Sequence, residues 1–131
     1  MIVDTSVWVD AFRGVMNAYT NLVVEYTIAD KPICVTPTIL QEVLQGVRDD
    51  SRYSQIKEGV LAHTMLTLDP IEAAIGASEL YRSLRKKGIT IRKPNDCLIA
   101  HYAIFYNIPI LHNDADFDQI ARFTALRLII P

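Results

Sequence analysis

Apolar residues in this chain follow two spacings. Short, mostly apolar runs read as strands, the first and fourth of them as buried ones. They are Met1-Ile2-Val3 (a strand over residues 1–4), Ile33-Cys34-Val35, Met65 to Leu68, Ile108 to His112 and Leu126 to Ile130. Between them, apolar positions recur with helical period. Tyr19, Leu22, Val23 and Tyr26 mark a helix from about Asn17 to Ala29 and suit core packing. Ile39, Leu40, Val43, Leu44 and Val47 form a stripe behind Thr36-Pro37, an N-cap followed by proline. Further helices are expected from Ser6 to Phe12, Asp50 to Ala62 and Asp116 to Arg122. Asp69-Pro70 opens another, reaching about Lys87 with Gly88 in the left-handed position beyond it. Pro94-Asn95 opens a helix with Asn95 as expected N-cap, and from Cys97 to Tyr106 it is apolar or weakly polar all round, the mark of burial on most sides. Strands alternating with helices predict an α/β domain whose parallel sheet is covered on both faces. Without repeats or linkers, residues 1–131 read as one domain.

Composition narrows the class. Half of the residues are apolar, enough for a core without disulfides or a structural metal. Cys34 and Cys97 lack C-x-x-C spacing, and no signal peptide is evident, which suits reduced thiols in a cytosolic protein. The longest uncharged stretch, Cys97 to Asn113, is broken by Asn107-Ile108-Pro109 and falls short of the ~20 residues a membrane span needs. Net charge is −2, yet six of the thirteen cations cluster as Arg82, Arg85, Lys86, Lys87, Arg92 and Lys93. Lys86-Lys87-Gly88 fits a helix C-terminus, where cations complement the dipole. Arg92 and Lys93 have no such explanation and stand next to Pro94-Asn95-Asp96.

The candidate chemistry is acidic. Asp4 and Asp114 both end apolar runs, and the C-terminal edge of a parallel sheet is where ligands bind. An aspartate there also serves as a helix N-cap, and one carboxylate can do both. Asp96 occupies the first turn of the most buried helix. Glu42 lies off its helix's apolar stripe, so periodicity reads it as solvated. Asp114, Asp116 and Asp118 form D-x-D-x-D, but a calcium loop needs Gly and Glu where Gln119 and Ala125 stand. One of the three should cap the next helix, with Asp116 or Asp118 ahead of Asp114. His63, His101 and His112 lack ligand spacing and read as core or edge residues. Cys97 beside Asp96 reads as packing, because an adjacent acid disfavours the thiolate. No H-E-x-x-H, phosphate loop or nucleophile elbow is present.

Three segments together resemble one family. Met1 to Trp8, Pro94-Asn95-Asp96 with its apolar helix, and Leu111 to Asp118 are similar, in order and spacing, to the motifs of PIN-domain proteins, closest to VapC-type toxins of toxin–antitoxin pairs. The resemblance implies a three-layer α/β/α sandwich with a central parallel sheet. It implies a Mg²⁺-dependent endoribonuclease, with Mn²⁺ as an alternative ion, that acts on RNA, pairs with an antitoxin and forms homodimers. By position, Asp4, Glu42, Asp96 and Asp114 would be the catalytic acids, with Asp4, Asp96, Asp114 and Asp116 on the metal and Ser6 in support. Glu42 enters only through this match. Arg92 and Lys93, with Arg85 and Lys86, would then hold RNA phosphates. Where many relatives carry Thr or Ser, this chain has His112. A strand-end aspartyl phosphohydrolase fits less well, because Ser6 stands where its second aspartate is needed. A non-catalytic binding module would not need the full acid set.

Overall fold

The computed structural model describes residues 1–131. Five short strands, β1 (Ile2–Val3), β2 (Cys34–Val35), β3 (Thr64–Met65), β4 (Ile110–Leu111) and β5 (Leu128–Ile129), form one sheet in the order β3-β2-β1-β4-β5. Every pairing is parallel. Seven helices connect them: α1 (Thr5–Phe12), α2 (Ala18–Ile28), α3 (Pro37–Gln45), α4 (Asp50–Leu61), α5 (Pro70–Lys86), α6 (Pro94–Tyr106) and α7 (Ala115–Phe123). Right-handed crossovers put α1–α4 on one face and α5–α7 on the other. Within the faces α1 lies against α2 and α3, and α6 against α5 and α7, while α3 and α6 also touch. The architecture is the expected α/β/α sandwich. No helix is long and apolar enough to cross a membrane.

β1 and β2 end where the next residue turns to cap a helix. Asp4 is the N-cap of α1 and Thr36 that of α3. Asn17 closes a capping box with Thr20 at the start of α2. Two expected caps are corrected. The N-cap of α6 is Lys93, not Asn95. Pro94 suits the first helical position, having no N–H to leave unbonded, and it forces the preceding residue to be extended. Lys93 is extended, with φ −111° and ψ 104°. Likewise α7 is capped by Asp114, whose side chain accepts from the Asp116 N–H, rather than by Asp116 or Asp118.

The core is continuous across the sheet. Ile2, Val3, Val35, Ile110 and Leu111 from the strands meet Val7, Ile39, Val60, Leu84, Ile99, Phe117 and Ile120 from the helices, all fully buried. The α2 stripe points inward as expected, with Val23 buried and Tyr19, Leu22 and Tyr26 packed against the core. Cys34 and Cys97 are free and buried. The strand order reverses between β1 and β4, since the chain moves outward through β2 and β3 and then returns to the other side of β1. This is the switch point at which an open parallel sheet opens a crevice.

Candidate active site

The pairing of Val3 with Leu111 puts the ends of β1 and β4 side by side. The Asp4 N–H donates to the Leu111 carbonyl at 2.9 Å, so Asp4 leaves the sheet next to His112. Asp4 is buried and takes two bonds from Ser6 on Oδ2, from the hydroxyl at 2.6 Å and from the backbone N–H at 3.1 Å. The Ser6 hydroxyl oxygen also accepts the Asn113 N–H at 3.1 Å, clasping the two strand ends together. Ser6 therefore fixes both Asp4 and the loop carrying Asp114.

Carboxylate oxygens of Asp96, Asp114 and Asp116 lie within 4.8 Å of one another, close enough to share a cation. Asp96 arrives from the first turn of α6, Asp114 from the end of β4 and Asp116 from the first turn of α7. Asp96 and Asp116 are almost wholly buried, and Oδ2 of each has no hydrogen-bond partner. Such orphaned carboxylate oxygens are costly unless a cation meets them. Burial pushes the Asp96 carboxyl up to about 7, and the charges of Asp114, Asp4 and Asp116 add to the rise while Lys93 opposes it. Burial also works against ionising Asp114, but the Lys93 hydrogen bond, the Asp116 N–H and the charges of Lys93 and Arg92 outweigh it and hold that carboxyl below its ordinary value. An all-oxygen, carboxylate-rich donor set suits a hard divalent ion.

Glu42 stands apart from the three converging acids but is not a solvated residue. It is half-buried on α3, and its Oε1 accepts the Thr5 hydroxyl at 2.9 Å. Periodicity missed this because α1 packs against α3 and brings a hydroxyl to the polar flank of the stripe. Asp4 likewise lies outside the tight trio, though its charge acts on both Asp96 and Lys93.

The cations are distributed differently from the sequence expectation. Lys93 Nζ donates to Asp114 Oδ2, and Arg92 lies 3.8 Å from Asp114 Oδ1 and 3.5 Å from Asp116 Oδ1. Both are thus engaged with the acids. Arg85 stacks over the Tyr81 ring, and Lys86 lines a shallow surface cleft with Glu79, Arg82, Ser83 and Lys87. Neither contacts the acidic cluster.

His112 is the contributor that sequence reasoning left without a role. It is buried, its ring packs 5.2 Å from that of Phe117, and Nδ1 accepts the Asp114 N–H at 3.0 Å. Nε2 faces Asp118 Oδ1 at 3.4 Å. The imidazole thus accepts a backbone N–H two residues on, the same local bond that a Ser or Thr hydroxyl makes in a turn. A cleft of about 310 Å³ adjoins this side of the site, lined by His112, Asn113, Asp114 and Tyr19 among others.

The family model for the PIN domain matches residues 1–123. The chain belongs to the PIN-domain family. The PIN assignment agrees with curated relatives spanning nearly the whole chain. VapC ribonuclease Mb1587 of Mycobacterium bovis is 35% identical over 129 residues, covering 97% of this chain and 96% of the relative. Ribonuclease VapC of Rickettsia bellii is 33% identical over 135 residues, covering 96% and 94%. Among solved structures, VapBC2 of Rickettsia felis bound to a promoter DNA fragment superposes with a TM-score of 0.77 at 21% identity, covering 98% of this chain and 96% of that one. DNA-bound VapBC of Salmonella typhimurium gives 0.75 at 20% identity, covering 98% and 95%. At those identities the two structures show the shared PIN fold.

Proposed function

We propose that residues 1–131 act as one PIN nuclease domain, a Mg²⁺-dependent endoribonuclease serving as the toxin of a cytoplasmic toxin–antitoxin pair. The observation that carries this reading is the convergence of Asp96, Asp114 and Asp116 beside Asp4 at the switch point, with two buried carboxylate oxygens lacking partners. Curated relatives named as ribonucleases support the choice of RNA as substrate. Asp4, Asp96, Asp114 and Asp116 would hold the ion, and Mn²⁺ has the same oxygen preference. When bound, a divalent ion supplies orientation and acidification of the attacking water. The protein's part is positional. Ser6 holds Asp4, His112 holds the backbone of Asp114, and Thr5 holds Glu42, which would complete the catalytic acids. Arg92 and Lys93 would meet the RNA phosphate beside the acids, with Arg85 and Lys86 further along the strand. That proteins of this fold include a toxin–antitoxin complex and a member of the VapBC family of toxin–antitoxin systems supports an antitoxin partner that covers the acidic crevice, and a homodimer fits the same reading.

Cleavage mapping on total RNA tests the function. Wild type in Mg²⁺ should cut at discrete positions, EDTA should abolish cutting, and Asp4→Asn should reduce it by at least about 100-fold, the scale of losing a charge-stabilising group. Undiminished cleavage in EDTA, with products ending in 2′,3′-cyclic phosphate, would refute the metal-dependent mechanism.

A further inference from the structure

We propose that Lys93 and the divalent ion compete for Asp114, so that the Lys93 ammonium holds the acidic cluster together until ion binding expels it. The inference rests on the metal-dependent reading above and adds a residue whose position the ion decides.

Lys93 occupies the N-cap position of α6, yet its side chain makes no capping bond. It reaches instead to the end of β4 and donates to Asp114 Oδ2. Its ammonium also lies in the field of the Asp96 and Asp4 carboxylates. One ammonium thus faces acids contributed by α6, β4 and β1. Crowded carboxylates repel one another unless a positive charge lies among them, and Lys93 supplies one from within the chain.

That arrangement disfavours a second cation at the same oxygen. Mg²⁺ takes carboxylate oxygens and keeps a shell of waters, and a lysine ammonium on Asp114 Oδ2 would set a second compact positive charge within a few ångströms of it, so the two cations repel. Arg92 differs. It lies at 3.5 and 3.8 Å from the acids with 71% of its side chain exposed, so its charge can remain nearby without occupying a ligand position. The Lys93 side chain is 54% exposed and ends a flexible stem, so it can swing out to solvent. Once expelled, it is free for the phosphate contact assigned to it above. The buried oxygens of Asp96 and Asp116 have no such internal partner and stay available to the ion throughout.

The test is Mn²⁺ titration by calorimetry into EDTA-stripped, dialysed wild type, Lys93→Met and Lys57→Met, with folding verified by circular dichroism. In parallel, ¹⁵N-ammonium NMR follows the Lys93 signal, assigned by its loss in Lys93→Met. Lys93→Met should bind Mn²⁺ roughly three- to tenfold more tightly than wild type, the reach of a partly exposed ion pair with several partners. Lys57→Met, which removes the same charge from α4, should match wild type. The exchange-protected ammonium signal seen in EDTA should vanish at saturating Mg²⁺. Equal or weaker Mn²⁺ binding by Lys93→Met, or an ammonium signal that persists at saturation, overturns the competition and leaves the metal site standing. Binding by Lys93→Met alone supports it. No binding by either protein removes the metal-dependent reading and this inference together.

Discussion

Asp96 sets the pH response of the site. With its carboxyl raised to about 7, the folded chain holds a proton that the unfolded chain releases near the ordinary aspartate value. Stability from this group therefore falls as pH rises from about 4 to about 7 and stays at its minimum above that. Asp114 has the opposite sign, because its lowered carboxyl contributes stability above the ordinary value that is lost as pH falls through its folded one. In EDTA, Asp96→Asn should stabilise the protein by roughly 2 kcal/mol at pH 8 and by less at pH 4.5. Thermal melts at the two pH values measure this, and a larger gain at pH 4.5 would contradict it. Of the site residues, Asp4, Asp96 and Asp114 could be nominated from position alone, since each stands at the end of an apolar run or the start of an apolar helix. The roles of Thr5 and His112 could not, because each depends on a partner brought in by tertiary packing.

At the scale of elements, the α5–α6 hairpin holds Asp96 in place. α6 is buried along Asp96, Cys97, Ile99, Ala100, Tyr102 and Ala103, and α5 packs closely along it. The close approach requires Gly76, where an added Cβ would stand 2.2 Å from Cε1 of the His101 ring. Gly76→Ala gains helix propensity of about 1 kcal/mol but forces the ring or the helix to move, so we expect a net loss of about 1–2 kcal/mol. In the Gly76→Ala/His101→Ala double variant the clash disappears, and the two effects should be strongly non-additive. Additive urea-unfolding energies would rule out this packing account. Helices were more legible than strands in the sequence. Thr36-Pro37 and Asp69-Pro70 marked true helix starts because cap and proline act locally. The end of the first strand was overextended because Asp4 turns to cap the next helix.

For the whole molecule, the acids tie together segments far apart in sequence, since β1, α6 and the β4–α7 junction meet only in the folded state. A divalent ion that binds this arrangement and not the unfolded chain stabilises by mass action, about 2.7 kcal/mol at 100 times the dissociation constant. Mg²⁺ or Mn²⁺ should therefore raise the melting temperature of wild type, and Asp4→Asn, Asp96→Asn and Asp114→Asn should each blunt the rise. A wild-type melt that ignores both ions would remove the metal from the site.

The amino-acid sequence by itself determined the alternation of strands and helices, the parallel sheet, the buried character of α6 and the three acids at element ends. These follow from apolar period, turn residues and caps, which act over a few positions of chain. Tertiary structure alone decided which acids converge, that Asp116 joins Asp96 and Asp114 while Glu42 accepts from Thr5, and that Lys93 lies on Asp114. The reason is physical. Convergence depends on strand order and register, and on how far each helix packs against its neighbour, none of which leaves a local pattern in the chain.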